Sequence, residues 1–211
     1  MKYAVLQPYF FPYGGYYQLL AAVDTFVIFD NAQHPRRGRV HRLQARNRSG
    51  SVTWLTLPLN RAPQETQIRE ITINLQVWRD FLDHMQGFPN VVAAFRKLPG
   101  LGESVKSPNF LLIDFLTRQL TLVRDLAGLD CVLVRASEIL PREGKGYQDY
   151  ITELGARIGG HVYVNPSGGR NLYDPAFFSA RGISLAFMDE YQGNGTSILD
   201  QSDPLEWSGL R

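Results

Sequence analysis

The densest chemistry in the sequence lies in one short stretch, where Asp30-Asn31-Ala32-Gln33-His34-Pro35-Arg36-Arg37 runs on through Arg39, His41 and Arg42 to Arg46. Asp30 and His34 bring a carboxylate and an imidazole close together, the types that take a proton from an attacking group. They are the candidate catalytic residues. Arginine clamps phosphate or carboxylate bidentately, so Arg36, Arg37 and Arg42, with Gln33 beside them, are candidate binders of an anionic substrate. In an extended chain alternate residues share a face, so Arg37, Arg39 and His41 are expected to form one side of an anion clamp. Between Asn31 and Gln64 there are seven arginines and no acid, whereas the other fifteen Lys and Arg face all twenty Asp and Glu. A mildly acidic body thus carries one concentrated basic segment, and an anionic partner is the first functional expectation.

Two further loops have the composition of a binding site. In Gln7-Pro8-Tyr9-Phe10-Phe11-Pro12-Tyr13-Gly14-Gly15-Tyr16, prolines fix the backbone and glycines permit close approach of a ligand to the following helix start. Gln7, Pro8, Tyr9, Gly15 and Tyr16 are candidate substrate contacts. In Ser167-Gly168-Gly169-Arg170-Asn171, a hydroxyl, backbone amides and a guanidinium suit phosphate, which nominates Ser167, Gly169, Arg170 and Asn171. The loop lacks the Gly-Lys-Ser/Thr ending of a Walker A motif. Ser137 is a further candidate substrate contact, and Glu138, Asp189 and Glu190 add polar groups after other strands, but no spacing specifies a metal site. His84 falls within an amphipathic helix and His161 opens a strand, which suits structural roles. No cofactor is specified.

The elements that must position these residues alternate. Lys2–Leu6 and Thr25–Phe29 read as strands around a helix over Gly14–Val23, and Cys131–Val134, His161–Val164 and Ser184–Met188 as strands separated by helices around Tyr147–Ile158 and Asp174–Ala180. Gly159 and Gly182 are helix stops. This order predicts an α/β fold with a Rossmann-like parallel sheet, whose ligands bind beyond the carboxyl ends of the strands. Tyr13-Gly14-Gly15-Tyr16 stands where nucleotidylyltransferases carry His-x-Gly-His, and without those histidines the likeness bears on fold alone. Between the halves, Val40–Ala45 and Ser51–Leu57 predict a hairpin, Ile68–Ile73 a further strand, and Trp78, Phe81, Leu82 and Met85 an amphipathic helix, with a longer helix over Asn109–Leu126. The expected organisation is one α/β domain over 1–211, with a β-hairpin and helical insertion over 36–128.

The 211 residues are 44% hydrophobic and 20% charged, which suits a folded core and argues against disorder. A lone Cys131, no signal-peptide pattern and no long apolar run point to a cytoplasmic protein without a membrane span.

The assembled pattern resembles the WbqC-like family. Its carriers are Gln7, Pro8, Pro12, Gly15 and Tyr16; Asp24, Phe26, Val27, Asp30, Gln33 and Arg37; Arg42; Trp54-Leu55-Thr56-Leu57-Pro58; Gly169-Arg170-Asn171-Leu172; and Ser197-Ile198-Leu199-Asp200. His34 stands where the family has Tyr, Arg36 where it has Lys, His41 and Leu43 where it has Asn, and the tail after Asp200 is short and polar. The resemblance implies a transferase of surface polysaccharide (O-antigen) biosynthesis acting on a nucleotide- or lipid-linked amino sugar, with aminoacyl (glycyl) transfer proposed for some members. Its expected partner is an anionic small molecule such as a nucleotide or nucleotide sugar. The competing class is a non-enzymatic nucleic-acid module or scaffold using the arginine-rich hairpin with Trp54 as a stacking platform. The acidic remainder of the chain disfavours nucleic acid. The sequence specifies neither the sugar, the acyl donor nor the oligomeric state.

Overall fold

A computed structural model describes residues 1–142 and 144–201. In chain order it places β1 (Lys2–Leu6), α1 (Gly14–Ala21), β2 (Thr25–Ile28), β3 (Arg42–Arg46), β4 (Val52–Thr56), α2 (Trp78–Met85), α3 (Pro89–Lys97), α4 (Pro99–Lys106), α5 (Leu112–Leu126), β5 (Val132–Arg135), α6 (Ala136–Ile139), α7 (Tyr147–Ile158), β6 (Val162–Asn165), α8 (Pro175–Ser179) and β7 (Ser184–Phe187). The tail from Ser202 lies outside the described residues.

Five strands form one parallel sheet in the order β5-β2-β1-β6-β7. Counted along the chain, these are its third, second, first, fourth and fifth strands, which is a doubly wound, Rossmann-like order. Strand β2, between β5 and the central β1, reads Thr-Phe-Val-Ile and is buried throughout, as expected for a strand covered on both faces. Helices end where sequence chemistry says they should: α7 stops at Gly159, which takes the left-handed φ of 72°.

The long connection from β2 to β5 holds the antiparallel hairpin β3–β4, in register from Arg42↔Thr56 to Arg46↔Val52, followed by α2 to α5. Helix α5 buries Leu112, Ile113, Phe115, Leu116, Leu120 and Val123, an apolar stripe of helical period, with the polar Gln119 bonded to the Ser104 hydroxyl among them. Ile68–Ile73 is not the strand its pattern suggests. Ile68–Glu70 is a 3-10 turn, and only isolated bridges, Gln33↔Gln67, Leu59↔Ile73 and Thr72↔Leu111, flank it. The reason is local hydrogen bonding. The Gln67 amide donates to the Glu70 carboxylate, while the amides of Ile68 and Arg69 turn back to the carbonyls of Ala32 and Asp30. Ile68, Ile71 and Ile73 are all buried, so spacing that resembles alternation is satisfied by a turn.

The segment Thr196–Asp200 clasps the insertion to the first loop. The Ser197 amide donates to the Gln44 carbonyl and its hydroxyl to the Phe11 carbonyl at 2.7 Å, and the Ile198 amide donates to Pro12. The buried Asp200 carboxylate accepts from the Arg46 amide and guanidinium, each at 2.9 Å. Phe11, whose φ of 39° is strained for a residue with a side chain, sits under this clasp.

Tyr3 packs against Gly155 and Gly160, where any Cβ would collide with its ring. Gly155→Ala is therefore expected to lower stability by about 1–3 kcal/mol through overpacking, read as a lower urea midpoint. Gly168→Ala, with open space around it, leaves the midpoint unchanged.

Candidate functional site

At the carboxyl ends of β2 and β5 the chain leaves a crevice of about 380 Å³, walled by Asn31, Gln33, Glu65, Arg69, Ser137, Arg142 and Lys145 among others. Its base is set by Asp30, which is 1% exposed. One Asp30 carboxylate oxygen accepts the Ser137 amide at 2.9 Å, the other the Ser137 hydroxyl at 2.5 Å, and its carbonyl accepts the Arg69 amide. Asn31 is also buried. Its Nδ2 donates to the Tyr150 hydroxyl at 2.7 Å, which in turn donates to the Leu140 carbonyl at 2.7 Å. That chain fixes the amide, and Asn31 Oδ1 is left buried without a partner. An orphaned buried acceptor costs about 1–3 kcal/mol.

The crevice is cationic. Lys145 pairs with Glu153, holding that carboxyl below the usual range. Arg142 stacks over the Phe29 ring at 4.9 Å, and neither it nor Arg69 forms an ion pair among the described residues.

A second crevice, of about 280 Å³, opens on the other side of the Gln33↔Gln67 backbone bridge and is lined by His34, Arg36, His41, Asn60, Gln64 and Ile71 among others. The two imidazole centroids are 4.9 Å apart. His34 Nε2 and His41 Nδ1 are buried without partners. Burial holds the His34 imidazole below its ordinary pKa; burial, then His34 and then Arg42, brings His41 down to about 4. Both rings are uncharged at neutral pH.

The structure therefore separates residues that the sequence grouped. Asp30 reaches the first crevice only through Ser137, whereas His34 lines the second. The strand begins at Arg42, not before it, so Arg37, Arg39 and His41 do not form one strand face. Arg37 is exposed. Arg39 and Arg42 lie over the Trp54 ring, 5.6 and 4.4 Å from its centroid, and Arg42 also donates to the Gly38 carbonyl.

The first loop is largely absorbed by packing. Pro8 and Tyr16 are buried, and the Tyr16 hydroxyl donates to the Gln7 carbonyl at 2.9 Å. A Cβ on Gly14 or Gly15 would strike the Tyr191 ring, so it is a side chain of the protein that makes the close approach expected of a ligand. Gln7 and Tyr9 are half-buried at the edge.

The Ser167–Leu172 loop winds into a 3-10 turn, with the Gly169 amide bonded to Pro166 and no room for a Cβ against Asn165. Ser167 is half-buried, Asn171 is exposed, and Arg170 stacks over Phe187 at 4.9 Å.

Sequence reasoning missed Arg69, Arg142, Lys145 and the Asn31 amide. The basic, glycine-containing loop Arg142-Glu143-Gly144-Lys145 after β5 was the available signal. No group of three or more His, Cys, Asp or Glu side chains gathers as a metal site among the described residues, and no described helix is long and apolar enough to cross a membrane.

A family model described as "WbqC-like protein family" matches residues 7–194. Among curated proteins, the uncharacterized protein Rv1507c of Mycobacterium tuberculosis is 32% identical over 78 residues. The aligned stretch covers 36% of this chain and 33% of that protein, about a third of the relative's length. No solved structure matches the chain.

Because the His41 pKa falls on folding, its contribution to stability is fully present above the unfolded value near 6.5 and is lost as pH drops toward about 4. Chemical denaturation between those limits is expected to show a loss of up to about 3 kcal/mol. That slope is largely removed in His41→Gln.

Proposed function

The chain belongs to the WbqC-like protein family, and on that premise we propose that it is a transferase acting on a nucleotide- or lipid-linked amino sugar of surface polysaccharide. The single observation that carries the reading is the first crevice, whose lining brings Arg69, Arg142 and Lys145 together with Asn31, a residue with an unpartnered buried carbonyl oxygen. A phosphorylated sugar presents the complement of that wall. Its phosphate meets guanidinium groups, and a sugar amine or hydroxyl donates to Asn31. Gln33 and Ser137 extend the polar wall, with Gln7, Tyr9, Ser167, Arg170 and Asn171 on neighbouring loops at the same carboxyl edge of the sheet.

In aminoacyl transfer the sugar nitrogen attacks the carbonyl of an activated aminoacyl ester. The amide bond forms, the ester bond breaks, and the proton lost by nitrogen goes to the departing alkoxide. Asp30 is assigned a positioning role in this reading, since both its oxygens are engaged by Ser137. The Arg39 and Arg42 guanidiniums lie over the Trp54 ring and already occupy part of the surface on which nucleobases would stack, which weighs against the nucleic-acid alternative.

A thermal-shift screen against nucleotides, nucleotide sugars, amino acids and short nucleic acids tests the reading. Stabilisation by a nucleotide sugar is expected, and Arg142→Ala or Arg69→Ala should weaken binding about ten-fold or more, the worth of a charged hydrogen bond. Stabilisation by nucleic acid alone, or unchanged affinity in both variants, would overturn it.

A further inference from the structure

We propose that the second crevice, bounded by His34, His41 and Arg36, is a binding site for a small carboxylate with an apolar body, and that the carboxylate enters together with a proton. Three observations point there. His41, which is 8% exposed, and His34 both line the crevice, and each carries a buried ring nitrogen that has no partner. The Arg36 guanidinium stands at the same wall without an ion pair among the described residues. The opposite wall is apolar, formed by Leu57, Leu59, Ala62, Pro63 and Ile71.

The charge around the crevice favours an anion. Arg36 comes from the loop before β3, and Arg42 on β3 is near enough to affect His41. None of the lining residues between Thr56 and Gln64 is ionisable, the exposed Arg61 of that stretch does not line the crevice, and no Asp or Glu lines the wall. Glu65 lines the first crevice instead, and the Glu70 carboxylate is bonded to the Gln67 amide. Two neutral imidazoles beside an arginine lack only a counter-charge to be worth protonating. A carboxylate supplies it, accepting from Arg36 and from a newly protonated ring while its hydrocarbon part lies on the leucine side. No bond is made or broken beyond the transfer of that proton from solvent to imidazole. The site stands apart from the transferase reading, because it occupies the far side of the Gln33↔Gln67 bridge and needs no nucleotide.

Calorimetry with propionate and with inorganic phosphate, repeated in buffers of different ionisation enthalpy, reads both binding and proton uptake. NMR of the histidine ring nitrogens reports the two imidazoles directly. The expected result is saturable propionate binding with uptake of close to one proton, tightening about ten-fold per pH unit as pH falls from about 8 to about 6. His34 and His41 ring signals should move, and Arg36→Gln should weaken binding several-fold while leaving the unliganded ring signals in place. His41→Gln should retain a folded spectrum and lose most of the pH dependence. Absence of saturable propionate binding, binding without proton uptake or ring shifts, or preference for phosphate over propionate would each overturn the assignment.

Discussion

The Asp30 carboxylate is the contact on which the rest of the site depends. It lies two residues past the end of β2, is almost wholly buried, and engages Ser137 through both oxygens while its carbonyl holds the Arg69 amide. One residue thereby fastens the start of α6 and the Ile68–Glu70 turn to the edge of the sheet. A buried carboxylate is tolerable because every bond it makes is charge-assisted. Side chains from distant parts of the chain, Asn31, Arg69 and Ser137, are brought around one volume by that anchor.

The open volume does not sit at the topological switch between β1 and β6, where doubly wound sheets ordinarily bind ligands. Near the end of β6 the chain packs its own rings. Tyr163 lies 5.4 Å from Tyr173 and shares a hydroxyl contact with it at 3.1 Å, and Tyr147 lies against both Tyr173 and Phe29. The crevices lie beyond β2 instead, where the long insertion between β2 and β5 supplies one wall. The insertion also explains what becomes of the basic segment. Arg39 and Arg42 stack on Trp54, Arg46 pairs with Asp200, and Arg48 donates to the Gln86 carbonyl. Four of the seven arginines thus brace the hairpin and its neighbours, and the segment is far less available as a polyanion surface than its composition implies.

Most of the scaffold was legible in the sequence. The strands of the sheet, the hairpin and the α2 stripe follow from apolar runs, turn residues and helical spacing, and each is present within a residue or two of expectation. Ile68–Ile73 was misleading because local pattern does not record that the Ile68 and Arg69 amides have partners in the loop after β2. The site was legible in part. Asp30, Gln33, His34, Arg36 and Ser137 do face one or other crevice directly or through a neighbour, but spacing along the chain cannot show that a backbone bridge divides them. Nor can it distinguish glycines that admit a ligand from those that, like Gly14 and Gly15, admit Tyr191.

The clasp at Ser197–Asp200 has a consequence for the order in which the molecule is made. The Ser197 hydroxyl reaches Phe11 across a sequence separation of 186 residues, and Asp200 reaches back to the hairpin and to Asn90. During synthesis the first loop emerges from the ribosome long before the segment that holds Phe11 in its strained conformation. The early βαβ unit can pair its strands while translation continues, but its loop must wait in a looser state, with apolar rings uncovered. Contacts of such high order are slow to close, and surface exposed in the interval is what chaperones recognise. Seating of the first loop against the hairpin is in this sense a late event, waiting on a segment made after the last strand of the sheet.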